Sequence, residues 1–184
     1  MFASEISRKR RNQARSHSNW QWHFDEVFVK INGESHYLWR AVNHEGEVLE
    51  SYVSKRRDRN AALKIIRKSM KRYGNPEIIV TDKLRSYGAA MKVIGNADRQ
   101  ETGRWQNNRA ENSHLPFRRR ERAMLRFRQM RSLQKFVSIH ASIQNHFNQE
   151  RHLYSRTNFK LNRAASLAEW RQLLNAYIHA VRAM

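Results

Sequence analysis

Residues 21 to 31, QWHFDEVFVKI, alternate like a β-strand but carry apolar side chains on both faces, which is typical of a strand inside a sheet. Asp25 lies on the same face as Val27, and Glu26 lies on the same face as Phe24. An ionised carboxylate in a dry interior is strongly disfavoured unless it is neutralised, paired or bound to a metal ion. The strand therefore predicts a sheet covered on both sides, with a partner for Asp25 supplied from elsewhere in the chain.

The segments that follow predict a mixed α/β sheet. Turn signals at 32–34 (NGE) and 43–47 (NHEGE) separate two further strands, SHYLWRAV and VLESYVS, so we expect a three-stranded antiparallel meander. Helical spacing follows Asp58, a plausible N-cap, and EIIVTD predicts a short strand that ends at Asp82. Another helix and then C-terminal helices complete the pattern, which favours a sheet flanked by helices.

The charge of the chain points to a polyanionic partner. Thirty-six Lys and Arg against 16 Asp and Glu give a net charge of +20, and nucleic acid is a better candidate than an anionic membrane surface. No apolar run approaches the ~20 residues that span a bilayer. The absence of Cys excludes disulfides, a thiol nucleophile and Cys-ligated metal sites. We expect a soluble intracellular protein.

A basic run indicates where a nucleic acid would bind. Between Arg104 and Lys135 there are ten Lys or Arg and two acids, with Trp105, Phe117 and Phe127 interleaved. Such a run is typical of a surface that contacts phosphates and stacks bases, although a solvated helix face is the simpler alternative.

Two further carboxylates could join Asp25. Asp82 stands where a strand meets a helix, and Glu111 lies in WQNNRAENSH, three residues after Asn108. Each has a simpler interpretation, since Asp82 could be an N-cap and Asn108 with Glu111 could form a capping box. If the first and fourth strands are neighbours, however, Asp25 and Asp82 would repel each other unless a cation lay between them. A third carboxylate from a following helix would complete an all-oxygen site for Mg²⁺ or Mn²⁺, suited to two-metal phosphodiester chemistry.

Three motifs in order, WHFDEVFVKING, VTDKLRSYGAA and NNRAENSH, resemble the catalytic domain of DDE-type bacterial transposases, in particular those of insertion-sequence family six. The resemblance runs from about Trp20 to the C-terminus. It implies a ribonuclease-H-like fold, as in retroviral integrases, and it implies that Asp25, Asp82 and Glu111 are the catalytic triad that binds two Mg²⁺ or Mn²⁺ ions. The implied activity is cleavage of transposon-end phosphodiester bonds followed by transfer of the 3′-hydroxyl into target DNA.

The resemblance also implies partners. A basic residue seven positions after the glutamate is usual in the family, and Arg118 stands there to hold a DNA phosphate. With the basic run, the expected DNA contacts are Lys83, Arg104, Trp105, Arg109, Arg118, Arg119, Arg120 and Arg122. We expect binding to transposon ends and target duplex, a homodimer or higher oligomer on DNA, no membrane partner, and a location at the bacterial nucleoid in the cytoplasm.

We predict three parts of the chain. Residues 1–19 form a basic arm, too short for the helix-turn-helix region that recognises transposon ends in the family; residues 20–125 form the catalytic core; and residues 126–184 form helices that complete or pack on it. Two other functions stay open. One is a different ribonuclease-H-like nuclease, which would cut DNA without joining it. The other is a catalytically inactive, truncated DNA-binding remnant of a mobile element, whose binding would ignore Mg²⁺.

Overall fold

The computed structural model describes residues 20–103, 106–124, 127–148 and 154–182, except for the side chains of 177 and 180–182. Within these ranges it is a five-stranded mixed sheet flanked by helices. The strands are β1 (Gln21–Ile31), β2 (Glu34–Asn43), β3 (Val48–Ser54), β4 (Ile78–Thr81) and β5 (Gln100–Thr102). The helices are α1 (Arg59–Tyr73), α2 (Arg85–Ile94), α3 (Asn108–Ala123), α4 (Met130–Phe147) and α5 (Arg156–Arg182).

The strand order is β3-β2-β1-β4-β5, so β1 is the central strand. β2 runs antiparallel to both β1 and β3, which confirms the predicted meander. The β1–β2 turn places Asn32 at φ 50° and Gly33 at φ 84°, the pair of positive φ angles that a tight two-residue hairpin requires. β4 and β5 pair in parallel on the other side of β1, so the predicted adjacency of the first and fourth strands is confirmed.

The two faces of β1 pack into separate clusters, as its alternation predicts. Trp22 and Phe24 lie in the core beneath α1 and α2, whereas Val29 lies in the core beneath α3 and α4. Burying one such large apolar side chain contributes about 1.5–3 kcal/mol, so both layers are strongly held. By the same alternation, Asp25 faces the α3 side of the sheet and Glu26 faces the α1 and α2 side.

Helix α1 begins and ends as its sequence predicts. The Asp58 carboxylate caps the helix by accepting a hydrogen bond from the N–H of Ala61 at 2.9 Å. At the other end Gly74, at φ 89°, donates its N–H to the carbonyl of Met70 at 2.9 Å. Arg57 is the residue immediately before this cap, so its backbone lies at the start of α1.

Helix α4 pairs with the backbone of β3 through two side-chain amides. Gln134 accepts a hydrogen bond from the N–H of Val53 at 2.8 Å and donates one to the carbonyl of Ser51 at 2.9 Å. Asn145 makes the same pair of bonds with the backbone of Val48, both at 2.9 Å. β3 is an edge strand, and these amides satisfy backbone groups that an edge leaves open.

Helix α5 contacts the C-terminal end of α4. There the ring of His146 lies 5.5 Å from that of Trp170, and His146 Nε2 is 2.8 Å from the carbonyl oxygen of Ser166. Several apolar side chains of α5 are exposed, Leu161 most of all. Neither α5 nor any other helix in the described ranges is long and apolar enough to cross a membrane.

The sequence pattern does not predict strand β5. It has three residues and pairs with β4 from Gln100 opposite Ile79 to Thr102 opposite Thr81. Three residues are too few to show a period of two, so its partner strand decides its structure.

Candidate metal centre

Three carboxylates meet where β1 passes the carboxyl end of β4. The pairing of these strands ends with Phe24 opposite Thr81, so Asp25 and Asp82 are the next residues on each strand. Oxygens of Asp25, Glu26 and Asp82 all lie within 4.8 Å of one another, the one such group among the described residues. The predicted approach of Asp25 and Asp82 is confirmed, and Glu26 is an addition that sequence analysis assigned no role.

Glu26 is held from the opposite side of the sheet by Arg57. Its side chain is 1% exposed, and the Nε of Arg57 donates to Glu26 Oε1 at 2.7 Å, with Nη2 donating to the same oxygen. The Nη2 atom also lies 3.7 Å from Asp82 Oδ2. Thirty-one positions separate Glu26 from Arg57, so no local pattern links them.

The pKa values of the cluster show how crowded its negative charge is. Burial raises the pKa of Glu26 to about 7, the charge of Asp82 adds to this rise, and Arg57 opposes it. Burial also raises the pKa of Asp82; the charge of Asp25 adds to the rise, while a 3.0 Å hydrogen bond from the N–H of Leu84 opposes it. A cation between the carboxylates would relieve this repulsion.

Helix α3 is fastened along β1 at three points. Asn107 donates from Nδ2 to the carbonyl of Phe24 at 2.9 Å, and Arg118 donates from Nη2 to the carbonyl of Phe28. Between them, His114 Nε2 lies 3.3 Å from Asp25 Oδ2. Eleven residues of helix rise about 16 Å and four of strand about 13 Å, so the helix and the strand run side by side.

His114 is a contact of Asp25 that the sequence analysis missed. The side chain is 4% exposed. Burial lowers the pKa of His114, although the contact with Asp25 partly opposes this, so the imidazole is neutral near pH 7. Its position one helical turn after Glu111 is the signal that could have placed it near the carboxylates.

Neither capping alternative survives in the structure. The N-cap of α3 is Asn107, which makes no side-chain capping bond, and Glu111 is the fourth helical residue rather than the third. The capping-box interpretation of Asn108 and Glu111 is therefore wrong. The N-cap of α2 is Leu84, so Asp82 is not that helix's cap, although its carboxylate accepts the N–H of Leu84. Glu111 is exposed and stands outside the carboxylate group.

The predicted DNA-contacting residues are mostly exposed. Lys83 follows Asp82 directly, and the guanidinium of Arg118 is shared between the carbonyl of Phe28 and Glu121, whose Oε2 accepts from Nη1 at 2.5 Å. Arg118 is half-buried, whereas the other four members on α3 are exposed: Arg109, Arg119, Arg120 and Arg122. Arg104 and Trp105 lie outside the described residues.

Comparison with known proteins finds a family and several relatives. A family model described as a DDE domain, named for IS240 transposases, matches residues 19–150. The transposase of the insertion sequence-like element IS431mec of Staphylococcus aureus is 33% identical over 100 residues, which cover 52% of this chain and 45% of that protein. An uncharacterized protein of Yersinia pseudotuberculosis is 40% identical over 73 residues, which cover 38% of this chain and 68% of that protein. The chain thus spans about half the length of the transposases it matches.

Solved structures show the same fold. The catalytic core domain of HTLV-2 integrase in complex with magnesium, in its trimeric form, superposes with a TM-score of 0.54 at 14% identity, covering 77% of this chain and 96% of the other. The catalytic core domain of BIV integrase superposes with a TM-score of 0.50 at 16% identity, covering 72% and 86%. The ribonuclease-H-like prediction is confirmed. Since the DDE model spans the sheet and helix α3, the chain belongs to the DDE-type transposases of insertion-sequence family six.

Proposed function

We propose that this chain cuts the phosphodiester bond at a transposon end and transfers the resulting 3′-hydroxyl to target DNA. The observation that carries the proposal is the meeting of Asp25, within the central strand β1, with Asp82, which follows the end of the neighbouring strand β4, in a chain of net charge +20. Carboxylates in so basic a protein fit a cation site beside a polyanion better than they fit a general acidic surface.

The donor atoms fit divalent magnesium or manganese. Asp25 and Asp82 present only oxygen ligands, which hard cations favour, and the site lies close to the surface because the Asp82 side chain is 33% exposed. We propose that two ions are held here, and when bound they would activate the attacking oxygen and stabilise the leaving one. His114, neutral and 3.3 Å from Asp25, would keep that carboxylate oriented.

We propose Glu111 as the third ligand on the strength of its place on α3. Asn107, Glu111, His114 and Arg118 follow helical spacing along one side of the helix. The other three contact β1, so Glu111 lies between the contact with Phe24 and the contact with Asp25. The exposed side chain of Glu111 can adopt several rotamers. Fixing it in a rotamer that binds an ion costs about 2 kcal/mol or less in side-chain conformational entropy.

The chemistry needs no covalent bond to the protein. Water attacks the phosphorus at the transposon end, the bond to the 3′ oxygen breaks, and a 3′-hydroxyl and a 5′-phosphate result. That 3′-hydroxyl then attacks a target phosphodiester, forms the new bond and releases a target 3′-hydroxyl. Lys83 beside Asp82, and Arg118 and Arg122 on the same side of α3 as Glu111, would hold phosphates of the two DNA segments. Because both segments must meet, we also propose a homodimer or higher oligomer on DNA.

Metal-dependent joining tests this function. The purified chain would be incubated with supercoiled plasmid and a labelled DNA duplex with a free 3′-hydroxyl, in Mn²⁺ or in EDTA. We expect nicked plasmid and plasmid joined to the label in Mn²⁺, and neither in EDTA. Nicking without joined label would favour the nuclease alternative, and DNA binding with neither product would favour the inactive remnant.

Binding to duplex DNA is expected to depend steeply on salt. Log affinity should fall against log salt with a slope of about −0.9 per phosphate contact, because each contact releases condensed counterions. The double variant Arg119→Gln/Arg120→Gln should bind more weakly and reduce the slope by about 2. The matched control Arg67→Gln/Lys71→Gln removes the same charge from exposed positions of α1, on the other face of the sheet. Equal losses in the two variants would show that only net charge matters. Fluorescence anisotropy over a range of salt concentrations measures both slopes.

A further inference from the structure

Glu26 is close enough to the metal centre to interfere with it. One of its oxygens lies within 4.8 Å of oxygens of Asp25 and Asp82, although its side chain approaches from the α1 and α2 face rather than the α3 face. Glu26 Oε2 is buried, and the buried hydroxyl of Tyr87 is close enough to interact with the Glu26 carboxylate. A free carboxylate in this position could turn towards an ion and change its ligand set.

Arg57 prevents this in the observed geometry. Both its Nε and its Nη2 donate to Glu26 Oε1, so the Nε edge of the guanidinium is engaged by Glu26. The next residue, Asp58, caps α1, and Ser86 donates to the carbonyl of Arg57 at 3.5 Å, so the backbone on which Arg57 sits is tied to two helices. Arg57 also approaches Asp82, with its Nη2 atom 3.7 Å from Oδ2.

We propose that Glu26 and Arg57 are a pair of positioning residues that control the charge at the metal centre: Arg57 holds Glu26 away from the ions, and Glu26 keeps Arg57 from occupying Asp82. The inference rests on the proposed binding of divalent ions at Asp25 and Asp82. Each partner restrains the other, because both Glu26 and Asp82 lie within 4 Å of the same guanidinium. Neither residue is required to touch DNA or the ions.

The proposal predicts opposite changes in Mn²⁺ affinity for single substitutions of Glu26 and Arg57. Glu26→Gln removes the charge that holds Arg57, so Arg57 turns to Asp82 and competes with the ion, and Mn²⁺ affinity should fall by about tenfold. Arg57→Gln removes the competing cation and frees Glu26, so Mn²⁺ affinity should rise by about tenfold. The double variant should lie between the two, and Arg57→Lys, which keeps a cation, should stay near wild type.

Mn²⁺ titration followed by electron paramagnetic resonance measures these affinities without DNA or catalysis. Lys55→Gln is the matched control, because Lys55 lies two residues before Arg57 and pairs at 3.2 Å with an exposed carboxylate, that of Glu34. It removes the same charge from the same loop and should leave Mn²⁺ affinity unchanged. Thermal unfolding in EDTA identifies variants that are folded at the titration temperature. If Arg57→Gln is unfolded at that temperature, Glu26→Gln and the double variant still show the direction in which Mn²⁺ affinity changes.

The outcomes separate this inference from the proposed function. Loss of Mn²⁺ binding in Asp25→Asn, with the predicted opposite shifts in Glu26→Gln and Arg57→Gln, supports both. Loss in Asp25→Asn with shifts of the same sign, or with shifts no larger than in Lys55→Gln, overturns the inference and leaves the metal site standing. Equal Mn²⁺ binding by wild type and Asp25→Asn overturns both the metal site and the inference.

Discussion

Asp25→Asn is expected to lower Mn²⁺-dependent nicking of supercoiled plasmid by about 10²- to 10⁴-fold, since losing a metal ligand costs several kcal/mol of transition-state stabilisation and each ~1.4 kcal/mol is tenfold. Asparagine keeps the shape of the side chain and an oxygen that can face His114 Nε2, which lies 3.3 Å from Asp25 Oδ2 in the wild type, so the fold should be retained. In EDTA the variant should be as stable as wild type or slightly more stable, because its repulsion with Asp82 is gone. Initial nicking rates and thermal unfolding provide the two measurements.

Asp98→Asn is the matched control for this experiment. Asp98 is exposed and lies just before β5, which pairs in parallel with β4, so it stands near the beginning of β4 whereas Asp82 follows its end. The same chemical change there should leave nicking near the wild-type rate. Nicking by Asp25→Asn at that rate would show that Asp25 is not part of a catalytic metal site.

Glu111→Gln is expected to produce a second large loss of cleavage, of about 10²-fold or more, if Glu111 closes on the ions as proposed. Capping cannot account for such a loss, because the cap of α3 is Asn107 and Glu111 is the fourth helical residue. The one structural cost we expect is a weaker interaction with the helix dipole, about 0.3–1 kcal/mol in the free energy of unfolding. Affinity for DNA should stay near wild type or rise slightly as a negative charge is removed.

Glu101→Gln is the control that identifies the right glutamate. Glu101 is exposed and lies on β5, opposite Val80 of β4, with β4 between it and Asp25. We expect its cleavage rate to match wild type. Loss of cleavage in Glu101→Gln with full activity in Glu111→Gln would mean that the other glutamate is the ligand, and full activity in both would mean that neither is.

Much of the fold could be predicted from the sequence, because the relevant signals are local. The alternation of β1 predicts which of its side chains share a face, and the turn at Asn32 and Gly33 predicts the meander. The cap at Asp58 predicts where α1 begins. Each of these signals depends on residues within a few positions of one another. β5 was missed since a three-residue strand carries no period of its own.

For the candidate site, the sequence by itself determined that Asp25 stands within a covered strand and that Asp82 ends another. A cation between them could be inferred only on the condition that the two strands are neighbours, because the two carboxylates repel each other only when they are close together. Only the tertiary structure decided the partners. Arg57 reaches Glu26 across 31 positions, and His114 reaches Asp25 because α3 is fastened along β1. These contacts depend on the pairing of β1 with β4 and on how the helices pack on each face. Hydrophobic periodicity specifies which face of an element is buried, but leaves open which distant side chain will meet it there.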